Sequence, residues 1–423
     1  MSLRNFAAGF PAAGLAAALA AGPAVAQQAT APVLRLDQAI ARALADAPAM
    51  QAFDQARRAA DAGVQQADRS LNPTLSLGAE NLGGWSSYQW VGRAETTLSF
   101  SQTLEMGGDR EARTRLARSG VKAVEADAAV GRQDLYFAIE NAYVAAQVAA
   151  ANRVVANERL AVVKEIVQAV ERRVQAARDP LMAASRSQTL LADAEIATES
   201  ARLVYEAARR ELASYWSGDA NFEVDLQAFT VITKPVQPGV EANPDLARAR
   251  AAQEQAGAAI GVEQARARPD PTVSAGVRYF SEFDEAALVV GLSIPLIWAD
   301  NNSGAIQRAE ADRAKLRFEG EALRRNIERE VASALAQVEI AFAEVDAINA
   351  RLLPAAEQAL SRSRDGYAAG AFSYLDVLEA QRVLVEARLQ RNSALGSYHR
   401  ARAALARLTG AYIGFEPTRE ISQ

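Results

Sequence analysis

The sequence predicts a mainly α-helical chain with a membrane β-barrel part, built from one large unit that occurs twice. Three observations carry this reading. Landmarks recur about 195 residues apart, the mark of a duplicated unit and not of a short solenoid repeat. Ala47-Pro48 and Asn243-Pro244 each open an Ala-rich helical segment, and Asn72-Pro73-Thr74 and Pro269-Asp270-Pro271-Thr272 each close it. Two short alternating segments follow each break, and then comes a helical pattern far longer than a globular domain uses.

Composition and charge narrow the class. The 423 residues are 50% hydrophobic yet only 6% aromatic, which suits long helices packed closely through small side chains. The formal net charge is −5, or −6 without the leader and its one charge, Arg4, so no nucleic-acid partner is expected. Residues 1–26 read as a secretory signal peptide: Arg4 is the n-region, Ala7–Ala21 the apolar core, and Ala24-Val25-Ala26 a small-x-small cleavage site. That core is too short for a membrane span. No later stretch offers about 20 uninterrupted apolar residues, so no transmembrane helix is expected. The chain has no cysteine, hence no disulfide and no lipid attachment at the cleavage site.

The first repeat spans residues 27–218. Leu36–Ala47 reads as a short helix with Asp37 in its first turn, and Pro48–Arg69 as a second. Strands are expected at about 73–83 and 93–105. In the first, Leu75, Leu77 and Ala79 oppose Ser76, Gly78 and Glu80; in the second, Leu98 and Phe100 oppose Ser99 and Ser101. Gly83–Trp90 is the loop between them. Past Gly107-Gly108-Asp109 the period changes from two to about 3.6. No proline occurs from there to Asp179, so a long helix is expected over about 109–177, near 100 Å in length. Arg178-Asp179-Pro180 turns the chain into a return helix over 181–215.

Residues 219–242 form a mixed equatorial connector, with β-like Phe222-Glu223-Val224 and Phe229–Ile232. The second repeat, 243–410, has strands at about 271–280 and 287–297. Val273, Ala275, Val277 and Tyr279 oppose Ser274, Gly276 and Arg278, and Val290, Leu292 and Ile294 oppose Val289, Gly291 and Ser293. Asn301-Asn302-Ser303-Gly304 leads into a long helix over about 304–369. Its apolar stripe runs Leu323, Ile327, Val331, Leu335, Val338, Phe342, Val345, Ile348, Leu352, in the steps of three and four that suit coiled-coil seams. Pro354 should kink or loosen the turn before it. Gly366–Ser373 turns the chain into a return helix over 374–408, and 411–423 is a tail.

A segment of about 9–11 residues is the length that crosses a bilayer as a tilted strand. Four strands cannot close a barrel, and an open edge in lipid leaves backbone groups unpaired. Closure must come from other copies. Two chains give eight strands, whose interior side chains fill; three give twelve, wide enough for a conduit. A homotrimer with one 12-stranded β-barrel is therefore expected.

On these residues the chain resembles the TolC-type outer-membrane efflux family, over almost the whole mature sequence. The sharpest match is Leu98-Ser99-Phe100-Ser101-Gln102-Thr103-Leu104-Glu105-Met106-Gly107-Gly108-Asp109-Arg110-Glu111-Ala112-Arg113. It is similar to the strand-to-helix signature of the outer-membrane factors of cobalt-zinc-cadmium (heavy-metal) resistance-nodulation-division efflux systems, with Asp109 where that branch usually has Lys. Gly291-Leu292-Ser293-Ile294-Pro295-Leu296, followed by Asn301, Asn302 and Gly304, is similar to the second-repeat signature. The resemblance implies a trimeric β-barrel in the outer membrane, continued by a periplasmic α-helical barrel. It implies the exit duct of a tripartite efflux pump exporting heavy-metal cations, docked through a periplasmic adaptor (membrane fusion) protein to an inner-membrane pump of the resistance–nodulation–division type. Two alternatives stay open: a TolC-like conduit for organic solutes, drugs or secreted proteins, and a soluble periplasmic coiled-coil adaptor. Adaptors carry one hairpin; this chain shows two.

The family closes its periplasmic end by coiling the second hairpin inward, and Gly366–Ala380 is the matching segment. Tyr367 matches the family's lock tyrosine. Asp376 and Glu379 lie at i and i+3 on one helix face. Three copies would stack them as two acidic rings, an arrangement that favours cations, and the crowding would raise some of their pKa values or hold a cation. Negative charge at a helix N-terminus also suits the dipole. Phe372 stands where well-known members carry a locking Arg, and Ala183 where the first hairpin would supply an acidic partner. Closure is therefore expected to rest on packing by Tyr367, Phe372 and Tyr374. Trp85, Tyr88 and Trp90 are expected in the outer aromatic girdle and Trp298 in the periplasmic one, against outer-membrane lipid.

Other chemistry has no signature. His399 is the only histidine, there is no Cys and there are four Met, so nothing reads as a selective transition-metal site. No Ser-His-Asp set and no Walker-type loop occur. No enzyme activity, cofactor or resident metal is expected.

Overall fold

The structure is a computed structural model and describes residues 32–412 apart from 86, 87, 89 and 90. The signal peptide expected over 1–26, Trp90 and most of the tail lie outside the described residues. Strand β1 (Val33–Leu34) and helices α1 (Leu36–Asp46) and α2 (Pro48–Ala67) come first. They divide at Ala47, in extended backbone at ψ 118°, because the ring of Pro48 disfavours helical backbone in the residue before it. Strands β2 (Thr74–Glu80) and β3 (Glu95–Thr103) lead into α3 (Asp109–Gln175), whose 67 residues run about 100 Å. Helix α4 (Leu181–Ala213) returns, followed by β4 (Glu223–Val224) and α5 (Leu226–Thr230). The second repeat comprises α6 (Pro244–Arg266), β5 (Thr272–Phe280), β6 (Glu285–Ser293), α7 (Ser303–Ala347), α8 (Leu353–Ala368) and α9 (Tyr374–Thr409).

The four long strands make one antiparallel sheet in the order β2-β3-β5-β6, so β2 and β6 are free edges. Its register sorts the side chains cleanly. Leu75, Phe100, Ala275 and Val290 lie in one row and Leu77, Leu98, Val277 and Leu288 in the next row of the same face. The alternate rows hold Ser76, Ser99, Gly276 and Val289, then Gly78, Thr97, Arg278 and Ala287. The apolar face is bare: Leu77 is 73% exposed and Leu288 81%. A bare apolar face with two unpaired edges is stable only against lipid and further strands. Among the described residues no helix is long and apolar enough to cross a membrane.

Below the sheet α3 packs on α2 and α6, and α6 on α7. Apolar side chains are buried in separate clusters along these rods. One joins the N-terminal segment to α3, α4 and β4 through Ile40, Tyr143, Tyr205 and Phe222. Another lies between α7 and α9, where the stripe residues Ile327, Val331 and Val338 meet Tyr398. A third holds α3, α8 and α9 together through Val170, Leu360, Val377 and Leu384. Between α7 and α8, residues Ile348–Leu352 widen into a π-helical turn. Pro354 explains it: the proline has no N–H for the helix ladder, and its ring crowds the carbonyl four residues back.

Two expectations change, at Phe229–Ile232 and at the bounds of β6. Phe229–Ile232 is not β: Asp225 caps helix α5, its Oδ1 accepting from the backbone N–H of Gln227 at 2.8 Å and Ala228 at 3.1 Å, and Phe229 is buried beneath. Of the other β-like piece, Glu223 and Val224 pair in parallel with Val33 and Leu34, a long-range partner that no local pattern announces. Strand β6 runs over Glu285–Ser293 and not over 287–297. Glu285 pairs with Phe280 across a short turn, and Pro295, just past the far end, has no N–H to extend the ladder.

Candidate functional site

The tips of the two helical hairpins meet at a small polar cluster. Ala177 takes left-handed backbone, φ 52°, and turns the chain so that Asp179 folds back on α3. Arg173 donates to it twice, Nε to Oδ2 at 2.9 Å and Nη2 to Oδ1 at 3.2 Å. Tyr367, near the end of α8, donates its hydroxyl to Asp179 Oδ2 at 3.1 Å, and the Arg173 guanidinium lies 4.7 Å from the centre of its ring. The Arg173 bond, with help from Tyr367, holds the Asp179 carboxyl below its usual range. Burial, with the Asp179 bond second, pushes the Tyr367 phenol up to about 12, so it remains a donor near neutral pH.

Within the single chain the hairpin tips are thus joined by a polar contact as well as by packing. Ala183 is indeed apolar and packs against the cluster that includes Tyr367, but an acid four residues earlier supplies the partner. The Asp-Pro turn carried the only signal for it. Phe372 folds onto Gly366, where any Cβ would lie 2.2 Å from its ring, and Gly370 at φ 78° completes the turn. Tyr374 is buried with its ring centre 6.3 Å from that of Tyr367, and its hydroxyl has no hydrogen-bond partner among the described residues.

Asp376 and Glu379 stand together at the start of α9, both exposed, and both line a cavity of about 630 Å³ between α3, α4 and α9. Asp376 closes a capping box: its Oδ2 accepts from Ser373 N at 2.8 Å and Ser373 Oγ at 2.7 Å. Glu379 accepts from Arg382, Nη2 to Oε1 at 2.6 Å. Within the single chain these bonds hold both carboxyls below their usual range, Asp376 through Ser373 and Glu379 through Arg382. The opposite shift expected from crowding needs three copies around an axis.

The polar face of the sheet carries a charge cluster that the alternation pattern alone did not single out. Arg278 donates to Glu95 Oε2 and Thr97 Oγ1, each at 3.0 Å, and lies 3.8 Å from Glu80. The aromatic residues sit at opposite ends of this sheet. Trp85, 92% exposed, and Tyr88 are in the β2–β3 loop, and Trp298, 86% exposed, follows β6. His399 is buried on α9, its Nε2 2.8 Å from the carbonyl oxygen of Phe229, so that nitrogen must carry the proton. Burial lowers its pKa. Among the described residues no group of three or more His, Cys, Asp or Glu is arranged to hold a metal ion.

Bare apolar strands, a polar sheet face and paired helical hairpins in both halves match known proteins. The family model described as Outer membrane efflux protein matches residues 39–218 and 240–411. The chain belongs to the outer membrane efflux protein family. Among its curated relatives, the cobalt-zinc-cadmium resistance protein CzcC of Cupriavidus metallidurans is 28% identical over 359 residues, 83% of this chain and 84% of CzcC. The nickel-cobalt-cadmium resistance protein NccC of Alcaligenes xylosoxydans xylosoxydans is 30% identical, covering 69% of each chain. The solved structure of CusC, studied for the conformational changes accompanying folding and transmembrane channel formation, superposes with a TM-score of 0.71 at 20% identity. The match covers 90% of this chain and 93% of CusC. This outer membrane efflux protein therefore has the chain fold of CusC.

Proposed function

We propose that three copies of this chain form the outer-membrane exit duct of a tripartite pump that exports heavy-metal cations. A periplasmic adaptor and an inner-membrane pump of the resistance–nodulation–division type would complete the path. The observation that carries the reading is the four-stranded sheet with one apolar face, one polar face and two free edges. Twelve such strands leave no edge in lipid and turn the polar rows inward. The names of CzcC and NccC support heavy-metal cations as cargo. The chain acts as a conduit in this reading, and metal choice belongs to the pump.

Asp376 and Glu379 are the proposed acidic rings at the periplasmic constriction, with Tyr367, Phe372 and Tyr374 as the closing elements. Trp85, Tyr88 and Trp90 at the outer rim and Trp298 at the inner one are the proposed girdle. Native mass spectrometry of detergent-extracted protein tests the assembly: a trimer is expected, and a stable monomer would overturn it. Deleting the gene in its host and measuring growth in cobalt, zinc and cadmium salts tests the cargo; unchanged tolerance to all three would overturn the heavy-metal assignment.

A further inference from the structure

A cavity of about 1180 Å³ opens where β3 hands over to α3. Arg110, Arg115 and Arg118 reach it from the first turns of α3, and Arg268 from the end of α6. Its acids are largely spent. Asp68 is 3.1 Å from Arg110, and Glu105 is paired with the neighbouring Arg113. That leaves Glu111 against Arg115, Arg118 and Arg268, and among the described residues no ion pair joins any of these three guanidiniums to a carboxylate. Among the described residues the Arg268 side chain makes one bond, a long one of 3.3 Å to the carbonyl of Gly107. Three guanidiniums without a carboxylate partner around one cavity leave local positive charge that suits an anion. The helix dipole is not the source of the attraction, since Asp109 and Glu111 already offset it in the first turn of α3.

The position of the cavity says which anion fits. Leu98 and Phe100 belong to the bare apolar face of the sheet, and Leu104 continues their alternation, its N–H still bonded to Pro271 O at 2.8 Å. Leu104 is 40% exposed, and Met106, which follows it at the cavity wall, is 74% exposed. Past Gln102, which interrupts the apolar row, exposed Leu104 and Met106 thus stand on the lipid side of β3 next to the arginines. That sequence of surfaces suits a ligand with acyl chains and a phosphate group.

We propose that this strand-to-helix junction binds the phosphate headgroup of an anionic phospholipid of the periplasmic leaflet, with acyl chains along Phe100, Leu104 and Met106. The site rests on the exit-duct reading, which puts the apolar face in the outer membrane. Guanidinium forks match phosphate oxygens in pairs, and basic pockets at a membrane boundary hold anionic headgroups in this way. Arg115 and Arg118 are exposed and serve the headgroup; Arg268 braces Gly107 and closes the far side.

Native mass spectrometry of the trimer from mixed micelles doped with phosphatidylglycerol tests the site. Wild type is expected to retain phosphatidylglycerol in preference to phosphatidylcholine. Arg115→Gln/Arg118→Gln should retain at least about tenfold less, as expected for losing two charge-assisted contacts at an exposed site. Arg324→Gln/Arg329→Gln, on α7, should retain as much as wild type. Should the first double variant assemble poorly, Arg118→Glu alone is expected to give the same loss. Equal retention in wild type and the arginine variants would overturn the proposal. So would complete displacement of the lipid by millimolar inorganic phosphate, which would assign the arginines to a free anion. Absence of a wild-type trimer would count against the exit-duct reading, a separate failure.

Discussion

Tyr367 donates its hydroxyl hydrogen to Asp179 at 3.1 Å, and that bond ties the tip of the second helical hairpin to the tip of the first. Arg173 grips the same carboxylate from α3. If the hairpins separate to open the proposed duct, this half-exposed polar cluster, beside the apolar cluster of Val170, Leu360, Val377 and Leu384, is a contact that opening would break. A hydrogen bond to a charged group at a partly solvated site is worth about 1 kcal/mol.

Tyr367→Phe keeps the ring against Tyr374 and Arg173 and removes only this bond. The closed state should lose about 1 kcal/mol per chain. Planar-bilayer recordings are expected to show more frequent and longer openings than wild type; identical gating would mean that the tip cluster does not hold the hairpins together. The Asp179 carboxyl is held below its ordinary value of 3.8, so its contribution is fully present above that value and is lost only as pH falls through the lowered one. Gating that depends on this cluster should accordingly not change between pH 5 and 8.

At the proposed acidic rings, charge and capping must be separated, because Asp376 does both. Asp376→Ala/Glu379→Ala is expected to lower cation selectivity and weaken block by multivalent cations. Ser373→Ala opens the same capping box while leaving both carboxylates in place and should cost about 1 kcal/mol at the start of α9 with selectivity unchanged. Reversal potentials in a salt gradient check both. Selectivity lost equally in both variants would assign the effect to the helix start.

Gly276 on β5 sits opposite Ser99 of β3. A Cβ there would be 2.5 Å from Leu98 O and 2.9 Å from Ser99 Cα, both backbone atoms that cannot give way. Gly276→Val should force β3 and β5 apart at a cost of about 1–3 kcal/mol per chain and cut the yield of outer-membrane trimer. Gly78, on the same polar face, has nothing within 4 Å of its would-be Cβ, so Gly78→Ala should assemble normally. Heat-modifiable trimer bands on semi-native gels distinguish the two.

His399 is neutral, buried, bonded to the Phe229 carbonyl and stacked on the Phe229 ring at 5.4 Å. Burial, and secondarily Arg402, lowers its pKa from 6.5. The unfolded chain therefore binds a proton more readily than the folded one. The stability held by this group is fully present above pH 6.5 and is lost as pH falls from there through the lowered value. Wild type should melt at a lower temperature at pH 5 than at pH 7.5, and His399→Asn should flatten that part of the profile. A profile unchanged by the substitution would show that other groups set it.

How much could be read beforehand differs by element. The duplication, the long helices, the four strands and their apolar and polar faces are periodic features. Periodicity is written residue by residue, so Leu75 and Leu77, or Ile327 and Val331, reveal their side of a strand or helix without any neighbour being known. The π-helical turn before Pro354 was legible for a similar reason, since a missing N–H acts within one helical turn. What only the tertiary structure decided are pairings between distant residues of no special pattern. Val33–Leu34 beside Glu223–Val224, Asp179 beside Tyr367, and Arg278 among Glu80, Glu95 and Thr97 all depend on where the helices and the sheet register bring the chain. A single hydrogen bond or ion pair leaves no period in a sequence, and a substitute four residues away, as Asp179 is from Ala183, serves equally well once the backbone turn points it at its partner.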